Sequence, residues 1–209
     1  MAEAVRQGRA VRHRAALVDG LGGVKPGRVP LDDVMRIFVR KPGFLLARID
    51  QIADSLYASH GAGETLAQAE MLLAIAAGVR GNQSSLARAC GIDTSTTATI
   101  LDNLQGAGLV ARVQDQHDRR RSLPVLTDAG TRRMTGVRRA FAALQAELLV
   151  GLAPAQRDEM AALLGRMART HDGPAPPLDV ASSPLVEAPS FLCRRALQIS
   201  VAHFTQCLA

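Results

Sequence analysis

The sequence predicts a mainly helical chain interrupted by one small β-hairpin. Hydrophobic residues make up 47% of the 209 residues but aromatic ones only 3%, with no Trp. The core therefore falls to Leu, Ala, Val, Ile and Met, and an Ala- and Leu-rich core with few β-branched runs favours helices. Apolar residues recur at helical spacing along most of the chain, each stretch opened by a capping residue or a proline. Only the region around Val110–Leu126 breaks that period, with two short apolar runs on either side of a polar one.

Residues 1–30 are Gly-, Arg- and Ala-rich and aperiodic, and are expected to be a basic flexible tail. Such a tail is either a solvated terminus or a contact for polyanions. From Leu31 the periodicity begins. Leu31, Val34, Ile37 and Phe38 form a helical stripe, Pro42-Gly43 kinks or restarts it, and Phe44, Leu45, Ile49, Ile52, Leu56 and Tyr57 carry it to His60. Gly61 and Gly63 end it. Thr65 caps a helix over 66–77, and Asn82 caps a short one over 83–90. Gly91-Ile92 makes a tight turn, Asp93 caps a helix over 94–105, and Gly106 and Gly108 stop it. Strands are expected over 110–113 and 123–126, with Pro124 tolerable only on an edge. Thr127 caps a long helix to about Leu149, Pro154 opens another that ends near Arg169, residues 170–189 read as a Pro-rich linker, and a last helix runs from Ser190 to about Cys207.

A short helix, a Gly-containing turn and a second helix make a helix-turn-helix, here about 82–106. Leu86, Ala87, Ile92, Ile100, Leu101 and Leu104 supply its packed faces and leave Thr94, Ser95, Thr96 and Thr99 outward, where a major groove about 12 Å wide would admit them. The hairpin that follows, about 110–126, is basic. Between Arg112 and Arg139 stand eight arginines and three acids, a local charge of +5 in a chain of +6. A solvated charged turn would look similar in isolation. Helix pair, basic hairpin and long helix in this order point to a double-stranded DNA partner.

These segments resemble the MarR family of winged helix-turn-helix regulators. The likeness lies in TLAQAEMLLAI, NQSSLARACGIDTSTTATILDNLQGAGLV, the wing DQHDRRRSLPVLTDAG and LAPAQRDEMAALLGRM, and spans roughly Pro42 to Arg169. It implies a winged helix-turn-helix with a helical dimerisation layer, over residues 31–169. It also implies a homodimer on a pseudo-palindromic operator, a repressor role in transcription, and relief by a small aromatic or phenolic acid. Carried over by position, Asp118 matches the wing acid that orients a neighbouring arginine, Arg119 and Arg120 match the paired wing arginines with Arg121 beside them, and Asn82, Gln83 and Ser84 fall where a helix N-terminus meets phosphate. Thr94, Ser95, Thr96 and Thr99 fall on the recognition helix. Thr94 and Thr99 stand where relatives often carry Arg, which removes the side chains best suited to guanine. Arg48, Tyr57 and His60 are candidates for the ligand cleft.

Other functions are poorly supported. No G-x-S-x-G, Walker A or Rossmann fingerprint occurs, and no catalysis is expected. The histidines lack metal-ligand spacing, so neither a metal nor another cofactor is expected. Cys90, Cys193 and Cys207 form no disulfide framework and are expected to be buried structural thiols; a thiol-based redox regulator is the alternative, as is a dimerisation module with weakened DNA binding. No apolar run spans a bilayer and no apolar segment follows the arginine-rich start, so a cytoplasmic protein without membrane partners is expected.

One further pattern stands apart. At an offset of 147 residues, Val39, Pro42, Phe44, Leu45, Arg48, Gln51 and Ile52 match Val186, Pro189, Phe191, Leu192, Arg195, Gln198 and Ile199. Residues 190–209 thus resemble the first helix of a second copy, and are expected to dock on the helical layer.

Overall fold

The computed structural model describes residues 40–61, 63–79, 81–114, 122–169 and 173–208. The basic tail and the stripe beginning at Leu31 lie outside them. From Lys41 onward the chain forms one unit, with seven helices and two strands among the described residues.

Helix α1 (Pro42–Ser59) starts at its proline, whose missing N–H costs nothing in a first turn. Pro42 therefore begins this helix. Helix α2 (Leu66–Ala76) opens with a capping box: Thr65 Oγ1 accepts from Gln68 N at 3.2 Å and Gln68 Oε1 accepts from Thr65 N at 2.9 Å. Helix α3 (Gln83–Cys90) is capped by Asn82 Oδ1, which accepts from the N–H groups of Ser84 and Ser85. Gly91 ends it at φ 59°, a left-handed conformation that lets Ile92 N reach back to Ala87 O at 3.0 Å. Helix α4 (Thr94–Gly106) follows after two residues, capped by Asp93.

Strands β1 (Val110–Gln114) and β2 (Ser122–Leu126) pair antiparallel with Val110 opposite Leu126 and Arg112 opposite Pro124. A two-stranded ribbon has only edge strands, so Pro124 fits. Helix α5 (Asp128–Leu148) is joined tightly to what precedes it. Thr127 Oγ1 accepts from Gly130 N and donates to Gly108 O at 2.7 Å, while Thr127 N donates to Leu109 O at 3.1 Å. A Cβ at Gly130 would run into the Leu109 carbonyl, so this turn requires glycine. Helices α6 (Pro154–Arg169) and α7 (Pro189–Leu208) complete the chain.

Helix α2 sits at the centre. Its Ala69, Met71, Leu72 and Ala74 are completely buried, and it packs against α1 and α5 as well as α3, α4 and β2. It therefore joins a helical layer (α1, α5, α6 and α7) to the α3–α4 pair and its hairpin. Helix α7 packs chiefly on α1 and α6, with α5 beneath its start. There Gln145 Nε2 donates to Ser190 Oγ at 2.7 Å and Ser190 N donates to Gln145 Oε1 at 3.0 Å. Phe191, Leu192, Ala196 and Ile199 are buried, each large side chain contributing ~1.5–3 kcal/mol.

The segment read as a linker is packed rather than extended. Ala175, Ser183 and Leu185 are buried, Asp179 N donates to Arg88 O at 2.9 Å, and Arg195 Nη1 donates to Pro176 O at 2.6 Å. Prolines limit its backbone freedom, and its few apolar side chains find α3 and α7 to cover. The cysteines also divide differently from expectation. Cys90 and Cys193 are buried, but Cys207 is exposed because the last turns of α7 run past the layer.

Candidate nucleic-acid interface

The helix-turn-helix presents a face of hydroxyls held by one carboxylate. Asp93 Oδ1 accepts from Thr96 N at 2.8 Å and from Ser95 Oγ at 2.6 Å, and its Oδ2 accepts from Thr96 Oγ1 at 2.7 Å. These hydrogen bonds from Ser95 and Thr96 hold the Asp93 carboxyl well below its ordinary range. Thr99 Oγ1 donates to Ser95 O at 3.2 Å. Thr94, Ser95, Thr96 and Thr99 are all exposed, whereas Thr97, on the opposite side, is buried and bonds Asp93 O. The hydroxyl donors of Ser95, Thr96 and Thr99 are thus engaged within the helix, and what faces outward is methyl groups and oxygen lone pairs.

Two bonds fix α4 against its neighbours. Gln83 Nε2 donates to Thr94 O at 2.7 Å, so Gln83 ties the start of α3 to the start of α4. Arg112 Nη2 lies 2.6 Å from Asp102 Oδ1, joining β1 to the middle of α4. The expected phosphate-side residues Asn82 and Ser84 are exposed at the start of α3. Asn82 uses its side-chain oxygen for the cap and keeps its amide N–H groups as outward donors. Asp118, Arg119, Arg120 and Arg121 lie outside the described residues.

The three cleft candidates separate. Tyr57 is buried, with its hydroxyl unpartnered among the described residues. Burial, then the nearby Glu64, push its pKa up to about 12, opposed by Arg133. Glu64 Oε1 accepts from Arg133 Nε at 2.6 Å while Glu64 Oε2 has no partner there. Tyr57, Glu64 and Arg133 thus form a polar cluster between α1, the α1–α2 turn and α5. His60 Nε2 lies 3.3 Å from Glu147 Oε1, close but without hydrogen-bond geometry. Arg48 is exposed, bonds Gln51, and stands about 13 Å up the helix from Tyr57 at 1.5 Å per residue.

Sequence reasoning missed Glu64 and Arg133, which are 69 positions apart, and the buried pair of Glu70 with Arg194, 124 apart. Nothing local marks such partners. The available signal was an acid, Glu70, set among the apolar residues of a helix whose one other polar side chain is Gln68.

Among the described residues no group of three His, Cys, Asp or Glu side chains is placed to hold a metal ion, and no helix is long and apolar enough to cross a membrane. Burial raises the pKa of Cys90 to about 12 and of Cys193 to about 11, which suppresses the reactive thiolate at both.

Comparison with known proteins places this architecture. A family model described as MarR family matches residues 63–121, the stretch from the α1–α2 turn to just short of β2. The PcaV transcriptional regulator from Streptomyces coelicolor is 31% identical, with 61% of this chain and 95% of that one covered at a TM-score of 0.53. The chain belongs to the MarR family. Bordetella bronchiseptica BpsR, whose DNA binding is regulated by 6-hydroxynicotinic acid, is 25% identical over 64% of this chain and 97% of its own, at a TM-score of 0.60. The transcriptional repressor CouR, from Rhodococcus jostii RHA1 and bound to a 23-mer DNA duplex, is 28% identical over 61% and 92%, at a TM-score of 0.56. Each of the three leaves more than a third of the present MarR-family chain without a counterpart.

Proposed function

We propose that this MarR-family chain is a dimeric repressor that binds a pseudo-palindromic operator through α4 and the wing, and that a small aromatic acid releases it. The observation that carries the DNA reading is the exposed hydroxyl face of α4, fixed by Asp93 at its start and by the Arg112–Asp102 pair at its middle. A rigid face of methyls and lone pairs suits thymine methyl contacts and bridging water. Asn82, Gln83 and Ser84 line the phosphate side, and Arg119, Arg120 and Arg121, with Asp118 positioning one of them, hold backbone or minor-groove atoms. CouR bound to a DNA duplex is the precedent for the complex.

For the ligand, the supporting observation is the Tyr57–Glu64–Arg133 cluster, with its two unpartnered oxygens. Arg133 offers a cation to a carboxylate and Tyr57 a hydroxyl donor, with His60 at the same end of α1. A bound acid would compete with Glu64 for Arg133 and shift α1 against α5, changing the separation of two recognition helices that must span one DNA turn, ~34 Å.

Selection of bound sequences from random DNA, followed by anisotropy titrations over a range of salt, tests the reading. Arg119→Ala and Arg120→Ala should each weaken binding across sequences and reduce the salt slope by about 1. Affinity unchanged in both variants at moderate salt, or a titration with aromatic carboxylates that never alters DNA affinity, would contradict the respective half of the proposal.

A further inference from the structure

The segment that leads into α7 forms one wall of a groove on the helix-turn-helix. The groove has a volume of about 400 Å³. Ser84, Arg88 and Thr94 stand on its α3–α4 side, and residues 174–177 face them. Ser84 and Thr94 both belong to the face proposed to meet DNA. The segment therefore borders that face directly.

This wall is fixed from behind. Ala175 is buried, the Pro176 carbonyl accepts from Arg195 Nη1 at 2.6 Å, and Asp179 N donates to the Arg88 carbonyl at 2.9 Å. Arg195 is itself buried in α7. Leu178 lies against Gly91, where an added Cβ would stand 3.4 Å from Leu178 Cδ1. Three prolines among residues 174–177 remove most of the remaining backbone freedom. Pro174 and Pro177 stay exposed. A wall ordered in advance spares a partner the cost of ordering a loop.

The chemistry of the groove selects the partner. The hydroxyls of Ser84 and Thr94 have no hydrogen-bond partner among the described residues, unlike those of Ser95, Thr96 and Thr99. Arg88 is exposed and forms no ion pair among the described residues. The acid at the groove, Asp93, already accepts three hydrogen bonds from Ser95 and Thr96. Asp179, beyond the wall, turns its carboxylate to the N–H groups of Ala181 and Ser182. Residues 173–178 carry no charge. One side thus offers a cation and hydroxyl donors, and the other offers apolar rings. That combination suits a sugar–phosphate strand, with phosphate oxygens towards Ser84, Arg88 and Thr94 and deoxyribose against the prolines.

We propose that residues 174–177 are a further DNA-contacting element beside the helix-turn-helix and the wing, and that with Arg88 they hold the backbone of one strand at the edge of the major groove that α4 enters. This rests on the DNA reading proposed above. The strap adds affinity for any duplex and carries no base preference of its own.

The test places opposite charges at the exposed wall and titrates each full-length variant with a random-sequence duplex between about 50 and 200 mM salt. Pro177→Lys should bind ~10-fold more tightly than Pro177→Asp at the low-salt end, with the gap narrowing as salt rises. Pro174→Lys and Pro174→Asp should differ in the same sense. Arg88→Ala should reduce the salt slope by about 1. The same charges at Pro184, exposed on the segment but outside the groove, should leave affinity alike. Should a charged side chain disturb the wall, Pro177→Cys decides: duplex should slow its labelling by a maleimide while Cys207, exposed at the end of α7, labels as before. Lys and Asp variants of equal affinity, or a Cys at 177 that duplex leaves unprotected, overturn the proposal. If Arg119→Ala weakens binding in the same titrations, that failure belongs to the strap alone. A parent chain that binds no duplex overturns both readings.

Discussion

Gly130 and Gly136 lie six residues apart in α5, and the structure assigns opposite signs to the same substitution at the two sites. Glycine in a helix interior costs about 1 kcal/mol relative to alanine, so Gly→Ala in open space stabilises. At Gly136 an added Cβ meets nothing within 4 Å. Gly136→Ala should therefore raise stability by about 0.5–1 kcal/mol. At Gly130 the new Cβ meets the Leu109 carbonyl, a backbone atom that also accepts from Thr127 N at 3.1 Å. Relieving the clash means moving the junction of α4, β1 and α5. Overpacking of this kind costs about 1–3 kcal/mol, and weakening the Thr127 bond adds ~0.5–1.5 kcal/mol. Against a propensity gain of at most ~1 kcal/mol the net is a loss of roughly 1–3 kcal/mol. For a chain of this size that lowers Tm by roughly 2–10 °C. Parallel thermal and urea melts of the two variants measure the difference directly. A Gly130→Ala protein as stable as Gly136→Ala would show that the turn yields freely, and the argument for glycine in this position would be lost.

Asp93→Asn keeps an N-cap side chain but loses the charge that holds the Ser95 and Thr96 hydroxyls. A carboxyl whose pKa is depressed on folding stabilises above its ordinary value of 3.8 and loses that contribution as pH falls through the lowered one. The variant should therefore be less stable at neutral pH, with the gap closing below about pH 4 in denaturant melts followed against pH; a gap independent of pH would contradict the assignment. Tyr57→Phe removes a buried hydroxyl without a partner among the described residues, so stability should hold or rise by up to ~1 kcal/mol, while any response to an aromatic acid weakens; a clear loss of stability would reveal a bond to Tyr57. Gln145→Ala removes both bonds to Ser190, worth ~0.5–1.5 kcal/mol each, and should speed exchange at the start of α7. Unchanged exchange there would mean that apolar packing alone seats the helix.

Much of this fold was legible because its elements are punctuated locally. Thr65, Asn82, Asp93 and Thr127 all cap the helices their positions implied, and Gly91 takes the left-handed turn between α3 and α4. Periodicity also assigned the inner faces correctly, with Leu86, Leu101 and Leu104 buried and Thr94, Ser95, Thr96 and Thr99 outside. What stayed hidden depends on distant partners. The composition of residues 170–189 suggested a tether, because Pro and Gly report backbone freedom and say nothing of a surface waiting to be covered. No local pattern pairs Arg133 with Glu64 or Arg194 with Glu70, because each pair is joined only by the fold. The same limit divided the cleft candidates, since helical spacing could align Arg48, Tyr57 and His60 along α1 but not show which of them α5 would meet.

The three thiols give the molecule an internal gauge of its own closure. Cys207 is exposed at the end of α7, so a maleimide should add once to the folded chain at that end. Cys193 lies on the covered side of the same helix, its pKa raised to about 11 by burial. It becomes reactive only when the helix leaves its place, and Cys90, at the end of α3 with a pKa raised to about 12, only when the core itself opens. Counting adducts by intact mass over time would then separate release of the last helix from global unfolding without any engineered probe.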